Sequence, residues 1–167
     1  MERRRFMRVV GMAGLGAAAL ASEARRGLGQ FSAAAGSESA LSIPESAQVQ
    51  PEALAGLIQA GGAAKPVIFQ VGSKIFFGEG HIAGSVFAGP GSQAAGLQLL
   101  KSIVATTKKD AAIVLYCGCC PWTRCPNMGP AYKQLHDLGF THVKALYLAS
   151  NFGDDWVAKG YPVEHGK

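Results

Sequence analysis

The chain has 167 residues, 49% of them apolar and 16% charged, with 22 glycines. That length holds one compact domain with something extra at an end; the composition supports a buried core and excludes collagen, a coiled coil and a polytopic membrane protein. The formal charge of +5 comes mostly from Arg3, Arg4, Arg5 and Arg8, and without residues 1–21 it falls to about +2, which leaves no footprint for nucleic acid.

Residues 2–8 read Glu-Arg-Arg-Arg-Phe-Met-Arg and precede a Gly/Ala-rich apolar run from Val9 to Ala21. The run has the length of a signal-peptide core and is too short to span a bilayer. Paired arginines, a spacer and then Phe6 resemble the twin-arginine signal of bacterial export, which predicts a periplasmic protein that meets the membrane only during export. Residues 1–21 are the expected signal, with cleavage after Ala21 or as far on as Ala35. Residues 22–48, rich in Ala, Ser, Gly and Glu, are expected to form a flexible linker.

From residue 49 to 167 strands and helices alternate. Pro51 to Ala60 carries Leu54, Leu57 and Ile58 at helical spacing and stops at Gly61-Gly62. Val67 to Val71 is the apolar run of a strand covered on both faces. Ser85 to Ala88 predicts a shorter strand, Leu97 to Val104 a helix, and Ala111 to Tyr116 the strongest strand of the chain. Met128 to Leu138 has helical spacing closed by Gly139, Val143 to Leu148 is the next strand, and Asn151 to Lys159 a short helix ending at Gly160. Strands separated by helices of this length predict an α/β fold: a central, mostly parallel sheet with helices on both faces.

All four cysteines fall within nine residues, Cys117-Gly118-Cys119-Cys120-Pro121-Trp122-Thr123-Arg124-Cys125, so they are not a fold-wide disulfide framework. Cys117 follows the strongest strand and the loop leads into the strongest helix, the place where open α/β sheets bind ligands. Amides at a helix N-terminus stabilise an anion, which predicts a depressed pKa and a nucleophilic role for Cys117, with its neighbours less acidified.

Several segments together resemble the rhodanese (sulfurtransferase) family over about residues 46–164. They are Gly80-His81-Ile82-Ala83-Gly84-Ser85, the strand Ile113 to Tyr116 ending in Cys117, Leu138-Gly139-Phe140 with Val143, and Trp156 followed by Gly160-Tyr161-Pro162-Val163. The resemblance implies a single rhodanese-like domain. In that family the cysteine takes a sulfane sulfur from a donor such as thiosulfate, becomes a persulfide held by loop amides, and passes the sulfur to a thiol acceptor, small molecule or protein. Only Cys117 matches the catalytic position, and no cofactor or resident metal is implied. The persulfide would be held by loop amides, Gly118 and Thr123 among them, and by Arg124, which reads as the loop cation for an anionic donor or as a solvated charge.

This chain departs from the family in three ways. Gln70-Val71-Gly72 stands where the family carries Asp-Val-Arg, the stretch from Cys117 to Gly139 is longer, and Cys119, Cys120 and Cys125 are extra. The extra cysteines read as resolving thiols or, in an oxidising compartment, as a disulfide plus a spare, with Cys120 and Cys125 far enough apart to close a small loop. His81 reads as a structural hydrogen-bonding residue, Trp122 as a shield or partner contact, Trp156 as core, and Asp154 and Asp155 as first-turn helix charges. The function expected is a periplasmic sulfurtransferase working through a persulfide on Cys117. Two alternatives stand beside it on the same fold, a thiol redox or soft-metal-binding module and an inactive partner-binding domain.

Overall fold

A strand that is apolar on both faces needs cover above and below, and the chain supplies it by returning through a helix after most strands. The computed structural model describes residues 40–166; the expected signal peptide lies outside them. In chain order the elements are β1 (Gln48–Val49), α1 (Pro51–Ala60), β2 (Val67–Gln70), α2 (Lys74–Glu79), β3 (His81–Ile82), β4 (Val86–Phe87), α3 (Ala94–Ile103), β5 (Ile113–Tyr116), α4 (Met128–Asp137), β6 (Val143–Leu146), α5 (Phe152–Asp155) and β7 (Val163–Glu164). The main sheet has the order β1-β6-β5-β2-β4, with every pairing parallel. A two-stranded antiparallel ribbon pairs β3 with β7, placing His81 opposite Glu164.

The sheet divides the core in two. One cluster joins Phe69, Val71, Ile113, Leu115 and Ala145 to Leu100 of α3 and to Met128, Ala131 and Leu135 of α4. The other joins Ile68, Val114, Tyr116 and Leu146 to Leu54 and Ala55 of α1 and to Trp156. Alternate residues of β5 therefore serve opposite layers, which fixes the direction of whatever follows it.

Helix limits follow local chemistry. Pro51 occupies the first turn of α1, and Gly61 at φ +63° ends it. The expected helix from Asn151 to Lys159 divides into α5 and a 3-10 turn, Val157–Lys159. The linker reading extends too far along the chain. Ala40 and Ile43 are fully buried in the α3/α4 layer, Ala40 donates its amide to the Cys125 carbonyl at 3.3 Å, and Gln48 pairs with Ala145. Isolated apolar residues between 3-10 turns have no period to betray them. Among the described residues no helix is long and apolar enough to cross a membrane.

Candidate active site

Period-two alternation along β5 continues for one residue past its end. Ile113 and Leu115 face the α3/α4 layer, and Cys117 joins them there, 4% exposed. Two features hold its backbone. Gln70, itself buried, donates from Nε2 to the Cys117 carbonyl at 3.2 Å and accepts from the Gly72 amide through Oε1 at 3.2 Å. Gly72 leaves no alternative beside it, because a Cβ there would lie 2.9 Å from the Cys117 carbonyl oxygen and 3.1 Å from Sγ. Gln70 and Gly72 thus form a neutral, close-fitting seat for the cysteine.

Asn127 completes that seat. Its Oδ1 accepts from the Ser92 amide at 3.0 Å and from Ser92 Oγ at 2.8 Å. A backbone N–H can only donate, so the oxygen faces Ser92 and Nδ2 faces the sulfur of Cys117, at 3.3 Å. The amide therefore stabilises negative charge on Cys117. Sequence reasoning passed over Asn127, because Ser92 meets it only in the folded chain.

Gly118 sits at φ +83°, where a side chain would be strained and where a Cβ would meet Phe152 at 2.9 Å. That turn brings Cys119 back over Cys117, with the two sulfurs 3.1 Å apart and Cys119 to Cys120 at 3.6 Å. Cys117 is buried, Cys119 exposed and Cys120 half-buried, and the sulfurs of all three lie within 4.8 Å of one another. All four cysteines are free thiols. The shorter of these two contacts joins Cys117 to Cys119.

The acidity expected for Cys117 goes to its neighbours instead. A 3-10 turn, Trp122–Arg124, delays α4, so the amides of Asn127 and Met128 at the helix start serve Cys125. With a hydrogen bond from Cys117 as the larger cause, they hold the Cys125 thiol down at about 7. Cys119 and Cys120 are also lowered, chiefly by hydrogen bonding to Cys117. Cys117 is pushed far up, by Cys119 first, then by Cys120 and Cys125, and then by burial. The cluster therefore places negative charge on Cys119, Cys120 and Cys125 before Cys117, which holds its proton against the pull of the Asn127 amide.

Beside Cys117, at the carboxyl ends of β2 and β5, opens a cleft of about 530 Å³. Phe76, Tyr116, Phe152, Val157 and Val163 give it apolar walls, and Glu79, Asn151 and His165 supply polar groups. The Tyr116 hydroxyl bonds to the Ile82 amide and Ser85 Oγ, each at 3.1 Å, and burial raises its pKa to about 12, so the cleft has a neutral phenol. No Lys or Arg lines this cleft among the described residues. Gly118 does line it, whereas Thr123 and Arg124 are exposed on the 3-10 turn and do not, so the expected loop cation is not at the site.

Other expectations divide. Trp122 is buried in the α3/α4 layer, with its ring against Tyr147. Trp156 is core, as expected. His81 stacks on Phe77, meets the Phe77 carbonyl through Nδ1 at 2.8 Å, and lies away from the Cys117 cleft, in keeping with a structural role. Asp155 accepts from the Ser150 and Asn151 amides at the start of α5.

No family model matches this sequence, and no curated protein does. Solved structures do match. The rhodanese-like domain of the Alr3790 protein from Anabaena sp is 23% identical with a TM-score of 0.54, the match covering 71% of this chain and 79% of that one. The BH2092 protein from Bacillus halodurans is 21% identical with a TM-score of 0.55, over 71% of this chain and 76% of that one. This chain has the rhodanese-like fold. A doubly substituted EanB solved with hercynine, 22% identical with a TM-score of 0.51, shares it over 71% of this chain but only 27% of its own length. On the rhodanese-like sheet Cys117 directly follows the central strand β5, and Cys119 folds back over it.

Proposed function

We propose that the domain is a sulfurtransferase in which Cys117 accepts a sulfane sulfur as a persulfide. The observation that carries this reading is the position of Cys117: seated at the end of β5 by Gln70, Gly72 and Asn127, with its residue on the wall of a cleft that also holds Cys119. A proton held between Cys117 and Cys119 can pass outward to Cys119, leaving Cys117 as the thiolate with the Asn127 amide on it. The donor is bound by its body rather than its charge. Apolar walls and the Glu79 carboxylate favour an organic persulfide or polysulfide over a small dianion such as thiosulfate. The N-terminal signal would deliver this activity to the periplasm.

Mass analysis of reduced protein after exposure to glutathione persulfide tests the reading. The expected result is one added sulfur, about 32 Da, in the parent. Cys117→Ser should take up none at that position, and equal uptake by Cys117→Ser would overturn it.

A second reading rests on the three sulfurs of Cys117, Cys119 and Cys120, which lie within 4.8 Å of one another. That spacing suits a soft cation such as Cu(I), because three thiolates about 2.3 Å from one ion stand roughly 4 Å apart. Tight one-to-one Cu(I) uptake by reduced protein, with no sulfur loading from any donor, would favour it.

A further inference from the structure

We propose that Cys119 resolves the Cys117 persulfide internally, so that the loop releases hydrosulfide and closes a Cys117–Cys119 disulfide. The inference rests on the sulfurtransferase reading above and assigns the fate of the sulfur that it loads. The two sulfurs approach to 3.1 Å, within the range at which reacting atoms are already positioned for attack. The approach is built into the backbone. Gly118 between them is at φ +83°, and Phe152 packs against the spot its Cβ would occupy, so the turn is held from both sides.

The chemistry balances without a further oxidant. Cys119 thiolate attacks Sγ of Cys117, the inner sulfur of Cys117–S–SH. An S–S bond forms between the two cysteines, and the bond from Cys117 Sγ to the outer sulfur breaks. The outer sulfur leaves as hydrosulfide with the bonding pair, reduced from sulfane to sulfide, while the two cysteines are oxidised to a disulfide. An external dithiol then attacks Cys119, the exposed member of the pair, and restores both thiols. Exposure divides the roles, since buried Cys117 loads the sulfur and exposed Cys119 meets the reductant.

Cys120 and Cys125 fit the role less well. Cys120 lies beyond Cys119, 3.6 Å from it. Cys125 is buried like Cys117, so a bridge between those two would present no exposed sulfur to a reductant, whereas a bridge to Cys119 does.

The test follows the tryptic peptide of residues 110–124, which holds Cys117, Cys119 and Cys120, after one equivalent of glutathione persulfide is added to reduced protein. In the parent, the form about 32 Da heavier should appear and then give way to one about 2 Da lighter than the dithiol. Hydrosulfide should be released in step, counted in excess of a Cys119→Ser control. Cys119→Ser should hold the heavier form, and Cys120→Ser should still close the bridge. If the parent holds the heavier form as long as Cys119→Ser does, or Cys119→Ser bridges at the parental rate, the inference fails and the sulfurtransferase reading stands. If neither protein ever gains the added sulfur, that reading falls and the inference with it.

Discussion

The two halves of the cysteine loop are built in opposite ways. From Pro121 to Asn127 the chain is anchored, with Trp122, Cys125 and Asn127 all buried, Trp122 against Tyr147 and Asn127 bonded to Ser92. From Gly118 to Cys120 it arches outward and leaves Cys119 exposed. The loop is therefore a fixed base that carries a small exposed arch. A reactive group on an arch can meet reagents only if its position is set from below, and here the buried half sets it.

The largest way to break this contrast is Trp122→Ala. Removing a fully packed indole should cost about 3–5 kcal/mol in denaturant unfolding, whereas Cys119→Ser should move stability by no more than about 0.5 kcal/mol. Equal losses for the two would show that the anchored half is not anchored. Next is Asn127→Ala, which strands the Ser92 amide and takes a donor from Cys117. Expected are a loss of about 1–3 kcal/mol and slower alkylation of Cys117.

A smaller effect is in pH. Cys125 titrates at about 7 in the folded protein, below the about 8.5 of a free thiol. Its contribution is fully present above about 8.5 and is lost as pH falls through about 7. Cys117 is shifted the other way, so its contribution is lost as pH rises beyond the usual thiol range. Stability should thus climb between the two values and climb less in Cys125→Ser, which urea titrations at a series of pH values would show. Smallest is Arg124→Ala on the exposed turn: within about 0.5 kcal/mol in stability and no change in sulfur loading. A large loss of loading would return Arg124 to the site.

The sequence made the sheet readable where elements were long. Val67–Gln70, Ile113–Tyr116 and Val143–Leu146 are mostly apolar segments next to helices bounded by Pro or Gly, and all three became strands of the parallel sheet. α2, β3 and β7 were not readable, because six residues or two carry no period, and in α2 both Ile75 and Phe76 are exposed. At the site, the strand end identified Cys117 as the residue beside the cleft. The electrostatics could not be read in the same way. Which thiol meets the helix amides depends on where α4 begins, and the 3-10 turn from Trp122 to Arg124 moves that start onto Cys125. Gln70 and Asn127 were unreadable for a related reason: each acts on Cys117 through contacts across the fold.

The tight fit at Gly72 makes one backbone position a control on the reactive sulfur. Even a methyl group there would press on the Cys117 carbonyl and sulfur, at 2.9 Å and 3.1 Å. Gly72→Ala would therefore push on Cys117 from the end of β2 while every cysteine of the loop stays in the sequence.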